Sequence, residues 1–281
     1  MNKKLKNILR NSWLRVVGFY IIDTINCIKY NLLKQDLVLV YQMGKVASSS
    51  IYNSLKKMNI TVYQIHRFNK DYIQEVHRNH KEKTGTLEAK IVDERGMRLY
   101  NIFIKKNKRP IFIISLIRDP IERNISAFFQ NKEHFTKHNN YSNIDELINL
   151  FYELYDHETP LKWFDKEFRR TLDVNIYDYP FLKEKKFSII KSNNFNILLM
   201  RIDLEDSLKE KIISDFLDLG KAVKLKNKNI GHLKAYNSQY TEFKNKLKLN
   251  ENYVNSMLES RFVEYFYTEE EIRLMKKRWL N

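Results

Sequence analysis

Apolar positions along the chain fall into two rhythms. Leu37-Val38-Leu39-Val40-Tyr41 and Ile111-Phe112-Ile113-Ile114-Ser115-Leu116-Ile117 are unbroken runs, the second opened by Pro110. Runs of that length bounded by polar residues predict strands buried on both faces of a parallel sheet. Thr61 to His66 is rich in β-formers and predicts a strand ending at His66; 187–191 and Phe195 to Ile202 predict two more. Between them the spacing turns helical: Ile51 to Lys57, 71–107 with a break near Gly85 and a resumption from Leu87 to Lys105, 143–156, 160–172, and most of the chain beyond about 205. Asp119-Pro120-Ile121-Glu122 is a helix start, with Asp at the N-cap, Pro at the first helical position and Glu placed to complete a capping box. Strands interleaved with helices imply an α/β fold with a mainly parallel central sheet and a helical C-terminal part. Ligands of such folds sit at the carboxyl ends of the strands.

The first run leads into Gln42-Met43-Gly44-Lys45-Val46-Ala47-Ser48-Ser49-Ser50 and then the first helix. A strand, a tight polar loop and a helix form a phosphate-binding arrangement, because backbone N–H groups and hydroxyls meet at the positive end of the helix dipole. The loop is not a Walker A motif, which needs two glycines framing four residues and Lys-Ser/Thr at the helix entry. Here the lysine comes first, and a Ser-rich N-cap on an ordinary helix is the plainer reading of the same residues. Arg118 ends the buried 111–117 strand, and Ser126 follows eight residues later, about two turns into the next helix. A guanidinium and a hydroxyl there can hold a second phosphate, although an exposed arginine in a strand-to-helix turn is equally ordinary.

Charge adds a partner class. Lys and Arg number 50 against 34 Asp and Glu, a formal net charge of +16. Such a surface favours an anionic partner, whether nucleic acid, lipid surface, nucleotide or acidic glycan. The 43% hydrophobic and 13% aromatic content supports a folded core, and with 6 Gly, 4 Pro and no linker-like stretch the expectation is one domain over 36–281. Residues 1–35 form an N-terminal helical segment whose apolar part, Trp13 to Ile28, is interrupted by Arg15 and Asp23. It is short for a membrane span. Preceded by Lys3, Lys4, Lys6 and Arg10, it either packs on the domain or lies on an anionic membrane as an amphipathic helix. The single cysteine, Cys27, excludes an internal disulfide and points to a cytoplasmic location, with the inner membrane face as a peripheral site.

"YQMGKVASSSI" and "LIRDPIERNISAFF" together resemble the 5′- and 3′-phosphate-binding segments of the sulfotransferases that use PAPS, 3′-phosphoadenosine 5′-phosphosulfate. With "WFDKEF", "DVNIYDYPF", "NILLMRIDLED" and "FVEYFYTEEEI", the chain further resembles a bacterial family of capsular polysaccharide synthesis proteins, over about residues 36–275. The resemblance implies a P-loop-like three-layer sandwich, PAPS as donor, no metal, and a carbohydrate hydroxyl in a polysaccharide or glycolipid as acceptor. It implies that Gly44, Lys45, Val46, Ala47, Ser48, Ser49 and Ser50 hold the 5′-phosphosulfate, with Lys45 as the catalytic cation. Arg118 and Ser126 would hold the 3′-phosphate. A basic C-terminal loop closes over the nucleotide in sulfotransferases, which implies a donor contact for Lys228 and Lys234, beside Tyr236; a solvated lysine-rich loop is the ordinary reading of 221–240.

The acceptor hydroxyl needs a base, and His66 is expected to supply it on position alone. His77 and His80 are weaker candidates on a helix, and His134, His138 and His157 are expected at the surface. Trp163, Phe164 and Phe168 have core spacing rather than that of a sugar platform. Two other functions stay open: a P-loop-type small-molecule kinase, and a non-enzymatic basic protein for nucleic acid or anionic lipid. The misplaced lysine counts against the first, and the absence of a nucleic-acid recognition motif against specific nucleic-acid binding.

Overall fold

The computed structural model describes residues 13–79, 87–105, 107–135, 143–225 and 237–280. Five strands form one sheet: β1 (Leu37–Tyr41), β2 (Thr61–Ile65), β3 (Ile111–Ile117), β4 (Phe187–Ser192) and β5 (Phe195–Arg201), in the order β2-β1-β3-β5-β4. All pairings are parallel except β4 with β5. A two-residue turn whose first residue, Asn193, takes φ 54° joins those two, and so short a connection can only make an antiparallel pair. Every residue of β1 is buried, so both sheet faces are covered there. On the edge strand β4, Ile189 and Lys191 face solvent.

The helices are α1 (Trp13–Asn31), α2 (Ser48–Lys57), α3 (Lys70–Asn79), α4 (Leu87–Leu99), α5 (Pro120–Phe135), α6 (Ile144–Leu154), α7 (Thr159–Trp163), α8 (Asp206–Phe216), α9 (Asn237–Lys246), α10 (Glu251–Leu258), α11 (Arg261–Phe266) and α12 (Glu269–Leu280). α4 runs on through a π-helical turn at Tyr100–Ile104. The stretch expected as one helix over 160–172 is instead α7, a π-helical segment Phe164–Arg169 and a last short turn. Its Trp163, Phe164 and Phe168 are buried, as core spacing requires. Gly96 is needed where α4 passes the end of β2, because a Cβ there would collide with the Arg67 carbonyl oxygen.

The strand order places a topological switch between β1 and β3. The chain leaves β1 toward β2 on one side and returns to β3 on the other, opening a crevice beyond the carboxyl ends of both strands.

Candidate functional site

The segments after β1 and after β3 meet in that crevice. α2 begins at Ser48, three residues earlier than the apolar spacing suggests. Its N-cap is Ala47, held in the left-handed region at φ 58°, and no side chain caps the helix. The Ser-rich cap is therefore overturned. Ser48 is buried and its hydroxyl accepts a hydrogen bond from Gln64 Nε2 at 2.7 Å, while Ser49 Oγ lies 3.5 Å from the same nitrogen. Lys45 is also left-handed, at φ 76°. Two non-glycine residues in this region within three positions store strain, which the surroundings must maintain. Alternation of backbone handedness turns successive N–H groups to one side, the concavity that receives anions.

Two arginines maintain it. Arg118 Nη1 donates to the Lys45 carbonyl at 2.9 Å, and Arg123 Nε donates to the Gly44 carbonyl at 3.1 Å. Both carbonyls are thereby drawn toward cations. Arg123 is nearly buried and also donates to Tyr155 Oη at 2.8 Å. Lys45 Nζ donates to Gln130 Oε1 at 2.6 Å. Glu122, Arg123 and Gln130 share one face of α5, and helical spacing sets Ser126 on that face between them. The structure thus brings Gly44 to Ser50, Arg118 and the Ser126 face together. Lys228, Lys234 and Tyr236 lie outside the described residues, as do His80 and His138.

Asp119 caps α5 as expected, its Oδ1 accepting from the N–H groups of Ile121 at 2.8 Å and Glu122 at 3.2 Å. Glu122 does not complete the capping box. Its carboxylate pairs with Arg118 at 3.4 Å and Arg278 at 3.2 Å, with Lys244 at 4.0 Å. Burial pushes its pKa up, but these three cations outweigh burial and hold it below the ordinary range. Trp279 Nε1 donates to Asp119 Oδ2 at 2.8 Å, which ties α12 to the same corner.

His66 follows β2 beside Gln42, with Nδ1 2.9 Å from the Gln42 carbonyl oxygen. A carbonyl only accepts, so Nδ1 carries the proton and Nε2 keeps its lone pair. Burial lowers the imidazole pKa; Arg67 and Arg123 reinforce this, and the Gln42 carbonyl opposes it. The ring is therefore neutral at pH 7 in the tautomer that can accept a proton at Nε2. The Gln42 side chain is buried with neither amide atom hydrogen-bonded among the described residues, which leaves a donor and an acceptor at the root of the loop.

His77 Nε2 pairs with Asp93 at 2.9 Å, and Asp93 also takes Arg67 Nε at 2.9 Å. His77 and Asp93 border an open cleft of about 600 Å³ between α3 and α4, separate from the loop. His157 is not a surface helical residue: its Nε2 donates to the Phe151 carbonyl at 2.7 Å and its Nδ1 accepts from Tyr253 Oη at 2.9 Å, among Phe151, Tyr155 and Tyr253. The side chain of His134 lies outside the described residues.

Glu167 is the residue that sequence reasoning missed. It is fully buried, accepts from Tyr41 Oη at 2.6 Å, and takes the backbone N–H groups of Phe68 and Asn69. Tyr41 in turn packs on Trp163 and Phe168, ring centroids 5.1 and 5.4 Å away, and Trp163 Nε1 donates to the His66 carbonyl at 3.1 Å. The segment 163–168 is therefore the floor under both the loop root and His66. Three charged residues set between the aromatics of Trp163-Phe164-Asp165-Lys166-Glu167-Phe168 were the available signal.

Over residues 140–268, a little under half of the chain, the sequence matches a family model described as "putative capsular polysaccharide synthesis protein". The matched stretch contains the floor segment, β4 and β5, while the β1 loop, His66 and Arg118 precede it. No curated protein and no solved structure matches the chain.

Proposed function

We propose that this protein is a PAPS-dependent sulfotransferase of P-loop-like, three-layer architecture that sulfates a carbohydrate hydroxyl in capsular or surface polysaccharide synthesis. The observation that carries the reading is the junction of the two predicted phosphate segments, with Arg118 Nη1 2.9 Å from the Lys45 carbonyl oxygen at the switch between β1 and β3. The family description supplies the carbohydrate context.

The residues fit the donor chemically. An uncapped helix start and a strained loop offer N–H groups to a 5′-phosphosulfate, with Ser48, Ser49 and Ser50 at hand. Arg118 and Ser126 serve a 3′-phosphate. His66 Nε2 takes the proton of the acceptor hydroxyl as its oxygen attacks sulfur in line. The bond from sulfur to the bridging oxygen breaks, and Lys45 meets the charge left on the 5′-phosphate. The products are a sulfate ester and 3′-phosphoadenosine 5′-phosphate, with the proton on His66.

Calorimetric titration with 3′-phosphoadenosine 5′-phosphate, AMP and ATP tests the donor site. The bisphosphate is expected to bind at least tenfold more tightly than AMP, and Arg118→Ala to remove that preference, since a charge-assisted bond to phosphate contributes about 1.5–3 kcal/mol. Equal binding of all three nucleotides, or an unchanged preference in Arg118→Ala, rejects the reading.

A second expectation concerns pH. Because burial lowers the His66 pKa, turnover should hold at pH 6.5 and decline only on the acid side of the ordinary imidazole range. His66→Gln should lose most turnover together with that acid limb. A pH–rate profile whose acid limb sets in above pH 6.5, or one unchanged by His66→Gln, rejects His66 as the base.

A further inference from the structure

α1 is amphipathic in the opposite sense to a helix that buries its apolar face. Its inward face carries the acid: Asp23 is 2% exposed and paired to Arg95 at 2.7 Å and to Arg98. Arg95 lies 3.9 Å over the Phe19 ring, and Tyr30, buried, receives Asn107 Nδ2 at 2.6 Å on its hydroxyl. These contacts fix the helix against β2 and α4, and with it the direction of the other face. That face presents Leu14, Val17, Ile21, Ile25 and Ile28, all exposed, with Trp13 71% exposed at its start and the exposed Leu32 just past the helix end. Helical spacing sets these five within one stripe. A contiguous exposed stripe of this kind marks an interaction surface, because monomeric surfaces scatter such residues singly.

Charge identifies the partner. Residues 1–34 contain seven basic side chains and one acid, and the acid is Asp23, turned inward. Lys29 falls by helical spacing beside the apolar stripe, where its stem can reach over it, and Arg15 stands farther round on the same side with its guanidinium 5.2 Å over the Phe19 ring. A second copy would bring these cations against like charges with no outward carboxylate on α1 to meet them. An anionic surface meets them all. Among the described residues no helix is long and apolar enough to cross a membrane. The contact is therefore in the plane of the interface, apolar stripe inward and basic edge at the headgroups.

We infer that α1 docks the protein on an anionic lipid bilayer through the stripe from Leu14 to Ile28. Docking is independent of what the β1 loop binds, and its readout uses no nucleotide.

The test is flotation of the full chain with vesicles of phosphatidylcholine alone, and with about a third of it replaced by phosphatidylglycerol, at low and high salt. The wild type should float with the anionic vesicles and be released by salt. Ile21→Asp/Ile25→Asp should lower partitioning at least a hundredfold, since each isoleucine leaves the acyl boundary and each acid meets anionic lipid. Arg15→Gln/Lys29→Gln should lower it about fivefold per charge removed. Both isoleucines are exposed, so thermal unfolding should not move; if the Asp pair fails to fold, Ile21→Ser/Ile25→Ser serves instead and should lower partitioning at least tenfold. The inference is overturned if the wild type floats with neither vesicle, or if the isoleucine variants float as it does. It is overturned equally by a discrete dimer that those variants disperse without any vesicle binding, which would give the stripe to a second copy.

Discussion

Lys45→Ala should lower the rate of sulfuryl transfer by about 10²–10³ while leaving affinity for 3′-phosphoadenosine 5′-phosphate within about tenfold of wild type. The split follows from when the charge is needed. In the bound donor the bridging oxygen is shared between sulfur and phosphorus; as the bond to sulfur breaks, negative charge builds on it, and a cation placed there stabilises the transition state more than the ground state. The backbone makes alanine a fair replacement. Lys45 is held at φ 76°, a cost that a side chain with a Cβ bears whether it is Lys or Ala, so the loop's strain is unchanged. Its carbonyl still receives Arg118, while the ammonium and its bond to Gln130 are lost. The measurement is release of the bisphosphate from donor and glycan acceptor, beside calorimetry on the same variant. Unchanged turnover would remove Lys45 from the chemistry. Equal loss of binding and turnover would make it a donor-holding residue instead.

The parts of the site that could be seen in the sequence are those carried by strands and caps. β1 and β3 are apolar at every position but Ser115 because both sheet faces are covered, and a short run with no polar alternation is the pattern such a strand requires. Asp119-Pro120 fixed the start of α5 and hence the place of Arg118, the residue just before it. What sequence could not show was the conformation of the loop. An alanine in the left-handed region leaves no compositional trace, since only glycine and asparagine adopt it readily, so apolar spacing starts the helix after the serines. The roles of Arg123 and Gln130 needed the register of α5 against the loop, a tertiary fact. β4 was legible as a strand but not as the antiparallel edge, although the Asn193-Asn194 turn carries that information. Glu167 was hidden differently: a π-helical turn at Phe164–Arg169 shifts the face it occupies, and regular helical spacing does not anticipate the shift.

That buried carboxyl should make the fold lose stability as pH rises toward neutrality. Burial raises the Glu167 pKa to about 7, against the opposing bonds from Tyr41 and from the Phe68 and Asn69 N–H groups. Its ordinary value is 4.5, so between these two the native chain binds the proton that the unfolded chain has released. Stability then falls with rising pH: the contribution is complete below about pH 4.5 and gone above about 7. A shift of that size corresponds to roughly 3 kcal/mol. Because other groups titrate over the same range, the informative quantity is the difference between wild type and Glu167→Gln in denaturant unfolding at pH 5 and pH 8. The glutamine keeps a carbonyl oxygen for Tyr41 and Phe68 and has no charge to bury, so its advantage over wild type should grow by roughly 2.5 kcal/mol across that interval. A constant difference would show that the carboxyl stays ionised throughout. Glu167→Ala should destabilise at both pH values by about 2–4 kcal/mol, since it leaves the buried Phe68 N–H and the half-buried Asn69 N–H without their acceptor and Tyr41 Oη with only its longer bonds to Thr171 Oγ1 and the residue 167 carbonyl. The consequence reaches the site, because those groups belong to the root of the β1 loop and to the two residues beyond Arg67. On the proposed function, an alanine there should loosen both the β1 loop and His66, lowering bisphosphate affinity and turnover together, whereas Lys45→Ala separates them.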